Sequence, residues 1–126
     1  SLKTIENLWH KLGARTCFLK PIVHDTMLAF ISHLPHVIAF SLIKSIPTQY
    51  LKFSAAGLKD TTRIAASDPV IWKDICLSNS SQILKSLNRF EVVLKNLKSQ
   101  ISQKNSSGLK KAFSLAQKKR ITLNAC

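Results

Sequence analysis

The amino-acid sequence predicts an all-α fold, a helical bundle that follows a short helix-strand unit at the N-terminus. Apolar residues recur every three or four positions through most of the chain, which is the spacing of helix faces. Residues that commonly begin or end helices divide this pattern into separate helices. Only residues 14–19 have the composition of a strand. With 126 residues, 45% of them hydrophobic, the chain is long enough for one domain with its own core.

The N-terminal residues 1–20 are predicted to form one helix and one strand. Apolar side chains at helical spacing run up to Gly13, which stands where a C-terminal helix cap belongs. Residues 14–19 contain Thr, Cys and Phe and end before Pro21, which favours a strand. Because this strand has no sheet to join and the sequence does not start with Met, we expect residues 1–20 to be the end of a larger α/β domain and the chain to be a fragment.

A long helix without formal charge is predicted next, over the eighteen residues from Thr26 to Ile43, if His is counted as neutral. This length meets the lower limit for a membrane span. The Ser and His side chains and the mid-helix Pro35 favour a buried core helix instead. Proline removes one helical hydrogen bond, at a cost of about 3 kcal/mol if nothing compensates, so we expect a kink there.

Three shorter helices are predicted after the long one, which Pro47 closes. Residues 49–56 form the first, and it ends at Gly57, a candidate left-handed cap. A further turn or two of helix begins at Asp60. Asp68-Pro69 is a strong start signal for the third helix, because a capping side chain precedes a proline at the first helical position.

The C-terminal part is predicted as one long helix and a basic tail. Asn79 can cap the helix, whose apolar residues from Ile83 to Ile101 follow a heptad spacing suited to packing against other helices. Asn105 to Gly108 are predicted to be a linker, and the residues beyond it either a weak amphipathic surface helix or a frayed tail. The predicted division of the chain is 1–20, 21–103 and 104–126.

Composition limits the possible partners and chemistry. The net charge of +13 favours anionic partners and supports an alternative function, a basic helical module that binds nucleic acid or acidic membrane. Cys17, Cys76 and Cys126 are odd in number and lack CxxC spacing, which favours a reducing, cytoplasmic location over a disulfide framework or a zinc knuckle. With only three glycines, the chain contains neither a GxGxxG dinucleotide loop nor a P-loop.

Two groups of polar residues lie in apolar surroundings and are candidates for a site. Arg63 is the only charge in its immediate neighbourhood, where a guanidinium either pairs with Asp60 or grips a carboxylate of a ligand. His33 and His36 share a helix face. They are either core histidines or hydrogen-bond donors to an anion, and a metal lacks further ligands at a fixed spacing. Trp72 belongs either to the core or to the wall of a pocket.

These residues resemble the C-terminal helical dimerisation domain of the prephenate dehydrogenases, the enzymes of tyrosine biosynthesis, and of their arogenate-using relatives. The resemblance covers about residues 7–100 and rests on Leu8-Trp9, Leu12-Gly13-Ala14, Pro21 to Asp25, Ser32 to His36, Gly57 to Ala66 and Asp68 to Trp72. It implies an N-terminal Rossmann-type domain for NAD or NADP, an intertwined homodimer, and oxidative decarboxylation of prephenate to 4-hydroxyphenylpyruvate. The fragment alone is then expected to hold no catalytic residue, no cofactor and no metal, and to bind neither nucleic acid nor membrane.

The resemblance also implies roles for individual residues. Arg63 is expected to bind a carboxylate of prephenate, His36 to hydrogen-bond the substrate, and Asp60 to orient the arginine. Gly57 is expected to offer its backbone to the ligand, and Trp72 to form part of the wall. A supporting polar network is expected from His24, Asp25, His33 and Lys59. The resemblance leaves open which of the two neighbouring histidines, at positions 33 and 36, contacts the substrate, and it finds no counterpart for residues 104–126.

Overall fold

The computed structural model describes residues 1–123, and these residues form helices joined by short turns. The α-helices are α1 (Leu2–Lys11), α2 (Pro21–Leu28), α3 (Leu34–Ser45), α4 (Ala56–Thr62), α5 (Pro69–Ser78), α6 (Ser80–Ser102) and α7 (Ser106–Thr122). A π-helical segment, Ala29–His33, joins α2 to α3, and 3₁₀ helices occupy Thr48–Phe53 and Arg63–Ala66. The chain divides into two compact units, Ser1–Gln82 and the residues from Ile83 on. The described residues contain no β-strand, and the predicted all-α fold class is confirmed.

The N-terminal helix agrees with its prediction, whereas the strand predicted after it is wrong. Gly13 follows α1 in the left-handed conformation, with φ of 78°, that suits a glycine after a helix. Residues 14–19 have strand composition, but no second strand exists in the described part of the chain to pair with their backbone groups. They are tied to α1 instead, because the Thr16 hydroxyl lies 3.0 Å from His10 Nε2 and donates to Glu6 Oε1 at 3.4 Å.

The long apolar helix is continuous but changes its winding just before Pro35. α2 passes into the π-helical segment and then into α3, in which Pro35 is the second residue. Proline offers no N–H to the carbonyl four residues earlier, and its ring crowds that carbonyl. The wider π turn accommodates one extra residue at this point and relieves the conflict, so the disturbance expected from Pro35 takes the form of a π-bulge.

This helix is buried along one side, where it packs against the rest of the first unit. Its alanines Ala29 and Ala39 are 0% and 2% exposed, and α3 contacts both α4 and the 3₁₀ helix Arg63–Ala66. By length and composition alone the 25-residue run Pro21–Ser45, which contains an 18-residue stretch with a mean hydropathy of 1.7, could also cross a membrane. Its contacts with two other elements agree with the predicted core helix.

Of the helix boundaries predicted between residues 57 and 69, the cap at Gly57 and the start at Asp60 are wrong, whereas the start at Asp68-Pro69 is confirmed. Asp60 lies inside α4 and starts no helix. Gly57 is no left-handed cap, because it lies in the first turn of α4. The chain is already extended at Ala55, so the preceding 3₁₀ helix ends without a left-handed residue. Asp68 does cap α5, since its Oδ1 accepts a hydrogen bond from the Val70 N–H at 2.8 Å and Pro69 is the first helical residue.

The second unit contains most of α6 and all of α7, and here the predicted linker is wrong. The side chain of Asn105 accepts a hydrogen bond from the Gly108 N–H at 3.0 Å and thereby caps α7. Lys104, with φ of 51°, turns the chain between the two helices. Asparagine followed by small residues is typical of a loop and of a helix start alike, and here it starts a helix. Cys126 lies outside the described residues.

Candidate functional site

The centre of the candidate site is a stack of two aromatic rings. His36 in α3 lies face to face with Trp72 in α5, with ring centroids 3.5 Å apart and planes inclined by 18°. His33, in the π-helical segment, meets the same indole edge-on, with centroids 6.1 Å apart and planes inclined by 78°. Stacked and edge-on arrangements are both attractive for aromatic rings. The structure therefore brings together three of the residues that the sequence predicts for the site.

A backbone hydrogen bond determines where His36 carries its proton. Its Nδ1 lies 3.0 Å from the carbonyl oxygen of Ser32, one turn earlier in the helix. Because a carbonyl can only accept, Nδ1 must be the donor. Nε2 is then the atom that His36 offers to a ligand, and it donates to an anion when the ring is protonated.

Asn79 is the residue of this cluster that sequence reasoning missed, because it was predicted only as the cap of α6. Its side-chain Nδ2 donates to the carbonyl oxygen of Asp25 at 2.8 Å and lies 3.3 Å from Nδ1 of His33. No backbone N–H of α6 donates to this side chain within residues 1–123. One feature of the sequence could have indicated its role. Asn79 follows Trp72 by seven residues, or two helical turns, so its side chain lies on the same side of α5 as the indole.

His33 is the buried titratable group of the cluster, and it is 9% exposed. Burial lowers the pKa of His33 below its ordinary value of 6.5, and the nearby His36 lowers it further. Asp25 acts in the opposite direction and raises the pKa, while His24 adds a smaller lowering. His33 is therefore neutral at pH 7, and its buried ring resists taking up a proton.

The lowered pKa of His33 predicts that acid destabilises this fold. Below about pH 6.5 the unfolded chain binds a proton that the folded His33 does not bind, so the free energy of unfolding falls as the pH falls through this range. Urea titrations of the protein and of His33→Gln, at several values from about pH 8 to pH 5, measure the effect. The free energy of unfolding of the variant should depend less steeply on pH than that of the protein. Equal slopes would mean that His33 is not the group responsible.

Arg63 is an exposed cation that forms no ion pair with another described residue. It opens the 3₁₀ helix that packs against α3, the helix that carries His36. Asp60 lies one turn earlier, but the ion pairs that do form within residues 1–123 are His24 with Asp25 and Lys73 with Asp74. The purely structural pairing of Arg63 with Asp60 is not formed, so the guanidinium is available to an anionic ligand.

The remaining predicted residues lie on the surface around this cluster. Gly57, Lys59 and Asp60 are exposed in α4, and no hydrogen bond or ion pair among the described residues joins them to the histidines. His24 and Asp25 form an exposed pair, with His24 Nδ1 and Asp25 Oδ1 3.1 Å apart. Asp25 contacts the cluster through its backbone carbonyl, which Asn79 binds, and the charge of its side chain raises the pKa of His33.

The neighbourhood of the stack offers a shallow hollow and no metal centre. The hollow has a volume of about 220 Å³ and is lined by Phe40, Pro69, Trp72, Lys73 and Cys76. Within residues 1–123, no three His, Cys, Asp or Glu side chains are grouped so that they could hold a metal ion. Imidazoles, an indole and cations instead suit a ligand that is anionic and partly apolar.

One protein family matches most of the chain. The family described as "Prephenate dehydrogenase, dimerization domain" matches residues 20–115. The match continues past residue 103 into α7, so the expectation that the resemblance stops before residue 104 is wrong for residues 104–115.

Two curated relatives extend over nearly the whole chain. The cyclohexadienyl dehydrogenase of Zymomonas mobilis is 37% identical over an alignment of 126 residues, which covers 94% of this chain and 43% of the relative. The prephenate dehydrogenase of Bacillus subtilis is 29% identical, and the alignment covers 93% of this chain and 33% of the relative. The chain thus spans less than half the length of the curated relatives it matches.

Two solved structures share the fold. The prephenate dehydrogenase from A. aeolicus, solved in complex with hydroxyphenyl propionate and NAD+, has a TM-score of 0.87 and 33% identity, and the match covers 97% of this chain and 45% of that one. The arogenate dehydrogenase of Synechocystis has a TM-score of 0.85 at 23% identity, which shows a common fold. With the family match over residues 20–115, these findings show that the chain belongs to the family of the prephenate dehydrogenase dimerization domain.

Proposed function

We propose that this chain is the substrate-binding and dimerisation portion of an NAD- or NADP-dependent prephenate dehydrogenase of tyrosine biosynthesis, located in the cytoplasm. The reaction is the oxidative decarboxylation of prephenate to 4-hydroxyphenylpyruvate. The observation that carries the proposal is the stack of His36 on Trp72, in a fold of this family, with the unpaired Arg63 on the adjoining 3₁₀ helix. Arogenate, which carries an ammonium group where prephenate has a keto oxygen, is the alternative substrate.

The charges of the site suit a dicarboxylate. Arg63 can bind one carboxylate through two parallel hydrogen bonds, and Asp60, one turn earlier, is placed to orient the guanidinium when a ligand binds. When its ring is protonated, His36 can donate from Nε2 to the substrate, since Nδ1 already donates to the Ser32 carbonyl. Two fixed contacts orient the ring of the substrate so that the carbon that bears the hydroxyl faces the hydride acceptor.

The chemical step places further demands on groups outside this chain. The ring carbon loses a hydride, its hydroxyl loses a proton, and the bond to the ring carboxylate breaks to release carbon dioxide as the ring becomes aromatic. The oxygen then regains a proton, which gives the phenol of the product. NAD or NADP supplies the hydride acceptor, and the three glycines of this chain form no dinucleotide-binding loop. We therefore propose that the cofactor and the proton acceptor belong to a Rossmann-type domain of the whole enzyme.

We also propose that the chain forms a homodimer. The buried apolar residues among those described are Ala29, Ala39 and Ile83, which is a small core for a chain of this length. Leu94 and Ile101 of the predicted heptad are 52% and 61% exposed. A second copy that covers such side chains would supply the missing apolar burial. Sedimentation equilibrium should give twice the mass of one chain, and a monomer at micromolar concentration would contradict the proposal.

The activity is tested in the enzyme that contains this chain. Prephenate and arogenate are each tested with NAD and with NADP, and the absorbance of the reduced cofactor is followed. At least one combination of substrate and cofactor should show turnover. Calorimetry of the 126-residue chain alone should show no binding of either cofactor. An enzyme that oxidises neither substrate contradicts the proposed function, and tight, steeply salt-dependent binding of duplex DNA or anionic vesicles by the chain would favour the basic-module alternative.

A further inference from the structure

Asn79 joins three elements of the first unit through one amide nitrogen. Nδ2 donates to the backbone carbonyl of Asp25, 54 residues earlier, at 2.8 Å. The same atom lies 3.3 Å from Nδ1 of His33, 46 residues earlier. The end of α5 is thereby tied to α2 and to the π-helical segment, and none of the roles proposed above uses this residue.

The hydrogens of this nitrogen determine the tautomer of His33. A side-chain amide nitrogen carries two hydrogens and accepts none. One hydrogen points to the carbonyl of Asp25, and the other is left for Nδ1 of His33, which must offer its lone pair. Because its lowered pKa leaves the ring neutral at pH 7, the single proton of His33 is on Nε2.

Nε2 of His33 is the second polar atom of this ring, and neither Asn79 nor Asp25 binds it. No hydrogen bond to this atom occurs within residues 1–123, and the ring lies edge-on to Trp72 beside the stack with His36. The two imidazoles have opposite tautomers. His36 is protonated at Nδ1 and donates from Nε2 only as a cation, whereas neutral His33 donates from Nε2. Trp72 and Asn79, on one side of α5, hold both rings in place.

We propose that Asn79 is a positioning residue of the substrate site, which holds the proton of His33 on Nε2 and so makes His33 a neutral hydrogen-bond donor to an oxygen of the anionic substrate. The identity of that substrate rests on the proposed function. Without the amide, His33 can move its proton to Nδ1 and present a lone pair to the anion, which is unfavourable. A residue that only tied the helices together would affect stability and leave the Michaelis constant for the substrate unchanged.

The kinetic test replaces Asn79 by Asp in the enzyme that contains this chain. An ionised carboxylate only accepts hydrogen bonds, so at about pH 8.5, where His33 keeps a single proton even beside the new charge, it draws that proton to Nδ1. The Michaelis constant for prephenate should rise about tenfold while kcat stays within about twofold, because one hydrogen bond to a charged group is lost. Asn88→Asp changes the charge equally at an exposed position of α6 and should leave both constants unchanged.

Nitrogen NMR of the ¹⁵N-histidine-labelled enzyme reads the tautomer without any catalysis. His33 is identified as the resonance that disappears in His33→Gln, and its Nδ1 should be unprotonated in the natural protein and protonated in Asn79→Asp. Asn79→Ala, which removes the donor without adding charge, should give a mixture of tautomers and a smaller rise in the Michaelis constant. An unchanged tautomer in both variants, or an unchanged Michaelis constant, would overturn the proposal. An enzyme that fails to oxidise prephenate contradicts the proposed function instead, and the NMR result then decides the role of Asn79 toward His33.

Discussion

Replacement of Arg63 by alanine is expected to raise the Michaelis constant for prephenate about a hundredfold or more in the enzyme that contains this chain. Arg63 is exposed and forms no ion pair within the described part of the chain. Two hydrogen bonds from a guanidinium to a carboxylate contribute about 3 kcal/mol or more. The Michaelis constant for the cofactor should change little, because the cofactor is proposed to bind elsewhere. Steady-state kinetics with each substrate varied measures both constants.

Two further variants make this test specific. Arg63→Lys keeps the charge but loses the planar guanidinium with its two parallel donors. Its Michaelis constant for prephenate should therefore lie between those of the protein and of Arg63→Ala. Arg89→Ala removes an exposed arginine of α6 that has no proposed role, and it should leave the constant unchanged. If Arg63→Ala also leaves it unchanged, Arg63 is an ordinary surface cation and the proposed carboxylate contact is wrong.

The second large effect is expected at Trp72. Alanine there removes the face on which His36 stacks and the indole that His33 meets edge-on. Because the indole is half-buried, we expect the free energy of unfolding to fall by about 2 kcal/mol, below the range for a fully buried tryptophan. The Michaelis constant for prephenate should rise about tenfold, since His36 loses its fixed orientation. Urea unfolding and steady-state kinetics measure the two effects.

Trp72→Phe is the conservative variant for this position. Phenylalanine keeps a ring on which His36 can stack, so most of the stability and of the substrate affinity should return. Trp9→Ala removes the other tryptophan, which is exposed in α1. It should leave the Michaelis constant for prephenate unchanged. Equal damage from Phe and Ala at position 72 would mean that stacking does not support the site.

Boundaries with a local cause could be predicted from the sequence. Asp68 caps α5, and Gly13 is left-handed after α1, because in each case the residue itself supplies the capping atom or the backbone freedom. The predicted strand at residues 14–19 failed because a strand also needs a neighbour. The predicted linker failed because Asn105 is suited to a loop and to a helix start, and only its hydrogen bond to Gly108 distinguishes them.

The site was predicted in its residue types and only partly in its contacts. His33, His36 and Trp72 do come together. Asn79 was misassigned, because capping is a common local role for asparagine before a helix, whereas its actual partners are more than forty residues away. The roles of Arg63 and of the α4 residues stay predictions.

The sequence by itself determined the helical fold class, the family resemblance and the residue types of the site, because helical periodicity and short motifs are local properties of the chain. Only the tertiary structure decided that His36 stacks on Trp72, that Arg63 and Asp60 do not pair, and that Asn79 reaches His33. The contacts of Trp72 and Asn79 with the two histidines depend on how separate helices lie against one another. No spacing within a single helix specifies the distance between two of them.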